Sequence, residues 1–173
     1  MTRCFPALDL SSAPVSARPM LEGSLKKFGK IPSPLARLAN SPVALQAALA
    51  GLDAFEHSSL APLEREVIAM TLATRNGCDY CLGLHRKLLR VLDAPPELCA
   101  ALEHGEPLGT PKLEALRQFT LALLDRTGDV TSAEWQAFLA AGYDRTAALD
   151  VVLGIGAYTL TTFANRLTEA PLD

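Results

Sequence analysis

The stretch Glu66–Leu92, EVIAMTLATRNGCDYCLGLHRKLLRVL, decides the fold. It carries a CxxC pair, Cys78 and Cys81, with His85 four residues past the second cysteine and Glu66 twelve before the first. Asn76-Gly77 interrupts the apolar pattern as a helix C-terminus and turn do. The flanks therefore read as two helices, over 61–75 and 78–92, joined tightly and running antiparallel.

At 100° per residue, Cys78, Cys81, Leu82, His85, Leu88, Leu89 and Leu92 share one face of the second helix, and Asp79, Arg86, Lys87 and Arg90 the other. Both thiols and the imidazole are thus expected to point inward. On the first helix Leu63, Glu66, Val67, Met70, Ala73 and Thr74 line up, which makes Glu66 the one acid among apolar neighbours, with Glu64 and Arg75 facing elsewhere. With Gly77 as the turn, Glu66 and His85 differ by roughly 4–5 Å along the helix axis. The expected order is Glu66–His85–Cys81–Cys78, a chain able to pass a proton from thiol to carboxylate. Mid-helix residues three apart hold their Cβ atoms about 5–6 Å apart, whereas a disulfide needs nearer 4 Å. Such a pair closes easily only at a first helical turn, so Cys78 is expected at the helix start, relaxed by Gly77. There the helix N-terminus also lowers thiol pKa values.

The spacing Glu-x11-Cys-x2-Cys-x3-His resembles the core motif of the alkylhydroperoxidase D (AhpD)-like family, related to the carboxymuconolactone decarboxylases. The match is specific over residues 60–92. The resemblance implies an all-α, compact, oligomeric domain, a trimer or hexamer, whose central antiparallel hairpin carries a redox-active CxxC. It implies a thiol-dependent hydroperoxide reductase whose disulfide is reduced by an external dithiol, thioredoxin-like or lipoylated. It assigns attack on the peroxide to the second cysteine, Cys81, while the helix dipole by itself favours Cys78 as the thiolate. The resulting expectation is Cys81 as peroxidatic cysteine, Cys78 as resolving and partner-facing cysteine, His85 as proton shuttle and Glu66 as base. One position departs from the family pattern: Tyr80 stands where characterised hydroperoxidases have a second histidine between the cysteines.

Other readings of the same residues are weaker. A zinc site from Cys78, Cys81, His85 and Glu66 would draw three ligands from one helix, whereas structural zinc usually takes pairs from two elements. Neither a metal nor an organic cofactor is expected. A redox sensor or disulfide carrier would use the same dithiol without peroxide turnover, and a lactone-decarboxylase type of enzyme generally lacks the CxxC. Cys99, beside Leu98 and Leu102, reads as core and Cys4 as a tail thiol, while His57 and His104 stand at helix ends.

The bulk properties agree with one globular domain. The chain has 173 residues, 49% of them hydrophobic and 20% charged, which excludes disorder. A net charge of −3 with scattered basic residues gives no footprint for nucleic acid or an anionic membrane. Four cysteines are too few for a secreted disulfide scaffold, and no basic-then-apolar leader opens the chain. A cytoplasmic, reducing setting is the expectation.

Residues 1–19, with three prolines, read as an extended N-terminal arm, and 20–173 as a single helical domain. Further helices are expected over 21–30, 42–55, 96–104, 111–126, 132–142 and 145–168, several announced by a capping residue followed by proline. The last is apolar nearly all round, so it belongs in the core or against another subunit. Asp150, its threonines and its glycines argue against a membrane span.

Overall fold

The computed structural model describes residues 5–173; Cys4 lies outside them. Among the described residues there are nine α-helices and no strand: α1 (Arg18–Phe28), α2 (Ser33–Leu38), α3 (Pro42–Glu56), α4 (Pro62–Asn76), α5 (Asp79–Val91), α6 (Pro96–His104), α7 (Pro111–Asp125), α8 (Ser132–Ala140) and α9 (Arg145–Leu167).

The helix ends follow local chemistry. Ser41 Oγ accepts from Ala44 N at 3.4 Å, and Asp144 Oδ1 from Ala147 N at 2.8 Å. Thr131 and Glu134 form a reciprocal capping box. Helix α2 is not foreseen, because Pro32, followed two residues on by Pro34, reads with Gly29 as the end of the preceding helix. A proline is tolerated in a first turn, where no N–H is needed, and here the pair opens a short helix instead.

Helix α4 is the axis of the molecule. Val67, Ile68, Ala69, Met70, Leu72 and Ala73 are all 0% exposed, enclosed by α3, α5, α6, α7 and α9. A helix covered on every side buries opposite faces, and α4 therefore buries two acids. Glu66 is one. Glu64, expected to face elsewhere, is also buried, held by Lys112 Nζ at 2.8 Å, Tyr143 OH at 3.1 Å and the Ala61 N–H at 2.8 Å. The two acids lie two residues, or 200°, apart and serve different neighbourhoods.

Two apolar faces depart from the expected burial. Leu88 and Leu92 of the α5 segment, expected inward, are partly exposed, and with Leu84 and Val91 they form an open apolar stripe. Only Leu89 is sealed, because α5 packs chiefly on α4 and α6. Helix α9 buries Ala147, Val151, Gly154, Ala157, Tyr158 and Thr162 against α3, α4 and α7, yet leaves Leu149 71% and Phe163 58% exposed. It is a one-sided core helix with a bare apolar outer face.

The segment before α1 folds back on the same chain. Leu8 N donates to the Ala36 carbonyl, Asn40 Nδ2 donates to the Pro6 carbonyl, and Ala13 and Ala17 are buried with Leu21, Ala39 and Leu45.

Candidate active site

The turn between α4 and α5 is built as the sequence demands. Gly77 adopts φ 60°, ψ 45°, a left-handed conformation that costs glycine little. Its N–H bonds to the Thr74 carbonyl and that of Cys78 to the Ala73 carbonyl, the double closure of a Schellman cap. The chain then starts α5 with Cys78 as the N-cap residue, in extended conformation at φ −95°, ψ 94°. Released from helical geometry there, Cys78 reaches Cys81 and the two form a disulfide with Cα atoms 5.3 Å apart. Cys78 Sγ also accepts the Cys81 N–H at 3.3 Å, taking the place of a capping oxygen.

The antiparallel hairpin brings Glu66 and His85 into register. His85 Nδ1 lies 2.8 Å from Glu66 Oε2, with both side chains more than nine-tenths buried. A carboxylate only accepts hydrogen bonds, so Nδ1 carries the proton and Nε2 presents a lone pair. The carboxylate thereby fixes the tautomer that can act as a base. In this oxidised state no hydrogen bond joins the ring to either sulfur among the described residues; Cys81 stands one helical turn from His85 on the same face of α5.

Helix α9 supplies a third wall. The ring of Tyr158 meets His85 edge-on, with centroids 5.1 Å apart and planes at 75°. Burial, then the charge of Glu66, pushes the Tyr158 hydroxyl far above its ordinary range, so it stays a neutral phenol. Asn165 Nδ2 lies 3.4 Å from Cys81 Sγ and 3.9 Å from Cys78 Sγ. Neither Tyr158 nor Asn165 is found from the CxxC motif. The signal for them is the spacing Tyr158, Thr162, Asn165, a polar line at i, i+4, i+7 on a largely apolar helix.

Tyr80 donates to Asp173 at 3.1 Å and makes no hydrogen bond to the Glu66–His85 pair. Burial and the neighbouring Asp173 carboxylate raise its hydroxyl well above the ordinary tyrosine range, which leaves it no role as a base. Cys99 is half-buried against the core, and His57 and His104 bond backbone carbonyls of their own helices; none of the three enters the site. No group of three or more His, Cys, Asp or Glu side chains suited to a metal occurs among the described residues.

A cleft of about 280 Å³ opens onto the disulfide, lined by Gly77, Cys78, Asp79, Tyr80, Asn165 and Arg166 among others. It reaches Cys78 and not Cys81. A larger hollow, about 760 Å³, lies between α9 and the α2–α3 corner and touches none of Glu66, Cys78, Cys81 or His85.

Comparison with known proteins agrees with this construction. Residues 43–122, which span the hairpin, match the model of the carboxymuconolactone decarboxylase family. A solved structure described as an alkylhydroperoxidase AhpD core, an uncharacterised peroxidase-related protein from Ralstonia eutropha JMP134, superposes with TM-score 0.85 at 22% identity, over 98% of this chain and 91% of that one. The fold is AhpD-like, and within it residues 43–122 are similar to the carboxymuconolactone decarboxylase family. An uncharacterised peroxidase-related protein from Silicibacter sp. TM1040 superposes with TM-score 0.79 at 23% identity, covering 98% of this chain and 90% of that one. The debrominase Bmp8, a cysteine-to-alanine variant solved with 2,3,4-tribromopyrrole, has the same fold, with TM-score 0.76 at 16% identity over 100% of this chain and 93% of its own. No curated protein sequence matches the chain. The fold is thus shared by neighbours described as peroxidase-related and by a debrominase, and function must be argued from the site.

Proposed function

We propose that the protein reduces hydroperoxides with its cysteine pair. The observation that carries this reading is the buried Glu66–His85 hydrogen bond set beside a CxxC that closes at the N-terminus of α5. A dithiol kept only for structure has no need of an oriented imidazole with a free Nε2.

In the reduced protein Nε2 of His85 takes the proton of the Cys81 thiol. The imidazolium that results is held by the carboxylate of Glu66. The Cys81 thiolate attacks the distal peroxide oxygen; an S–O bond forms, the O–O bond breaks, and the departing alkoxide takes the proton back from His85. Cys81 is left as a sulfenic acid and an alcohol or water is released. The Cys78 thiol condenses with the sulfenic acid, water leaves, and the disulfide seen in this structure is restored. An external dithiol, thioredoxin-like or lipoylated, supplies two electrons to reopen it, entering at Cys78 where the cleft meets the sulfur. The cycle needs neither a metal nor an organic cofactor, and it runs wherever such a donor is kept reduced, as in a cytoplasm.

The bare apolar faces of α5 and α9 support assembly into a trimer or hexamer. The test of function is peroxide consumption with dithiothreitol and with a lipoylated donor, in wild type and Cys81→Ser. Turnover in wild type that is lost in the variant supports the reading. A protein that cycles its disulfide with donors yet consumes no peroxide is a disulfide carrier. The same assay with 2,3,4-tribromopyrrole in place of peroxide separates this reading from reductive dehalogenation.

A further inference from the structure

The two sulfurs of the pair are served by different donors. Cys78 has the backbone N–H of Cys81, 3.3 Å from its sulfur, and the positive end of α5. Cys81, at the third helical position, has no backbone N–H directed at its sulfur. Its donor is the carboxamide of Asn165 at 3.4 Å, with Cys78 Sγ half an ångström farther from the same nitrogen. Among the described residues no other side chain donates a hydrogen bond to either sulfur.

The placement of Asn165 is held firmly. One turn earlier on α9, Thr162 is 0% exposed and its Oγ1 accepts from Asn76 Nδ2 at 2.8 Å, tying α9 to the last residue of α4. The next residue, Arg166, donates through Nη1 to the Asn76 carbonyl. Two turns earlier, Tyr158 lies edge-on against His85. Asn165 therefore meets the CxxC from a helix docked at three neighbouring points. An amide oxygen in that position would set lone pairs against sulfur lone pairs, whereas the amide nitrogen offers hydrogen to them.

We propose that Asn165 is a catalytic residue that stabilises negative charge on Cys81 Sγ in both halves of the cycle. The proposal rests on the reading of Cys81 as the cysteine that meets peroxide. In the oxidative half the Asn165 N–H donates to the Cys81 thiolate before attack. In the reductive half the donor's thiolate bonds to Cys78 Sγ, the Cys78–Cys81 bond breaks, and its electron pair leaves on Cys81 Sγ, again facing Asn165. The donor's second thiolate then displaces Cys78, and the donor departs as its own disulfide, oxidised by two electrons. Asn165 thus eases the departure of Cys81 Sγ when the donor attacks Cys78, because a stabilised thiolate is the better leaving group.

The titratable and charged groups around the pair are Glu66 from α4, His85, Asp79 and Tyr80 from α5, Tyr158 and Arg166 from α9, and Glu169 just beyond it. Glu66 and His85 are bonded to each other, Arg166 to the Asn76 carbonyl and Tyr80 to Asp173. All of these are unchanged in a substitution at Asn165, so a shift of the thiol profile reports on the amide.

The experiment follows the rate of iodoacetamide alkylation of Cys81 against pH, resolved by peptide mass spectrometry, in a Cys78→Ser background with Asn165, N165L or N165D. Loss of the donor in N165L is expected to raise the midpoint by about one pH unit, which lowers the alkylation rate at neutral pH about tenfold. N165D, nearly isosteric but acceptor-only and anionic, is expected to raise it at least as far. Profiles that superimpose on the Asn165 parent overturn the proposal; if N165L fails to fold, N165D decides alone. The titration needs no peroxide. A shifted profile in a protein without peroxide turnover therefore supports the role of Asn165 and removes the peroxidase reading. An unshifted profile in an active peroxidase does the reverse.

Discussion

Glu66→Gln changes one oxygen to nitrogen at the 2.8 Å contact with His85 Nδ1 and leaves side-chain volume nearly constant. The wild-type bond is charge-assisted and almost wholly buried. Hydrogen bonds to charged groups contribute about 1.5–3 kcal/mol, and neutral ones about 0.5–1.5 kcal/mol. The substitution therefore weakens this hydrogen bond by about 1–2 kcal/mol, roughly a tenfold effect at 1.36 kcal/mol per decade. A second effect adds to it. Glutamine can donate to Nδ1, which moves the ring proton to Nε2, the atom that must be free to accept the thiol proton. Together these place the loss within the 10²–10⁴-fold range of an absent general base, about two to four decades at neutral pH. The deficit should shrink as pH rises and the thiolate forms unaided. The assay is peroxidase rate and Cys81 alkylation rate over about pH 5.5–9.5, bracketing the ordinary thiol value near 8.5. Superimposable wild-type and E66Q profiles would refute the relay. Melting temperature is the control: near-isosteric replacement should move it little. Glu66→Ala, which orphans the Nδ1 donor, should cost about 1–3 kcal/mol of stability.

Three further outcomes are expected. A Cβ added at Gly154 would lie 2.6 and 2.7 Å from ring atoms of Phe55, which is 1% exposed and edge-on to Tyr158, so the ring has little room to yield; Gly154→Ala should destabilise by about 1–3 kcal/mol, read as a fall of roughly 2–10 °C in Tm by calorimetry. For Glu64, burial pushes the carboxyl up, but hydrogen bonds from Lys112, the Ala61 N–H and Tyr143 outweigh it and hold the group below its ordinary 4.5. A depressed folded value means stability that is present above pH 4.5 and lost as pH falls through the folded value, so the Tm gap between wild type and Glu64→Gln should be widest near neutrality and narrow in acid. Leu149→Asp with Phe163→Asp, on the bare face of α9, should shift light scattering from an oligomer toward the 18.5 kDa monomer; an unchanged mass assigns assembly to the α5 stripe or elsewhere.

What the sequence revealed of this site was whatever depends on regular repetition. The meeting of Glu66 and His85 follows from helical rise on either side of a glycine turn, and the place of Cys78 follows from the distance a disulfide requires. Periodicity, caps and prolines located eight of the nine helices, and the ninth, α2, was hidden because proline carries opposite meanings at a helix start and a helix end. Contacts between elements remote in sequence were not legible. Asn165 and Cys81 are 84 residues apart, and nothing local to the CxxC says which helix will close over it. Periodicity likewise tells which residues share a face, not whether another element covers it. Leu88 and Leu92 were therefore misplaced, and so was Glu64, whose burial depends on Lys112 and Tyr143 arriving from α7 and the loop before α9.

Reaction of the Cys81 sulfur with peroxide is the central step of the cycle, and a single turnover tests it most directly. Fully reduced protein is mixed with one equivalent of cumene hydroperoxide and quenched by thiol alkylation. The alcohol is quantified, and the Cys78–Cys81 peptide is examined by mass spectrometry. The expected result is one alcohol and one intrachain disulfide per chain in wild type, and a dimedone-trapped sulfenic acid at Cys81 in Cys78→Ser. Both thiols still free beside intact hydroperoxide, or a sulfenic acid trapped at Cys78 in Cys81→Ser with equal rate, would contradict it.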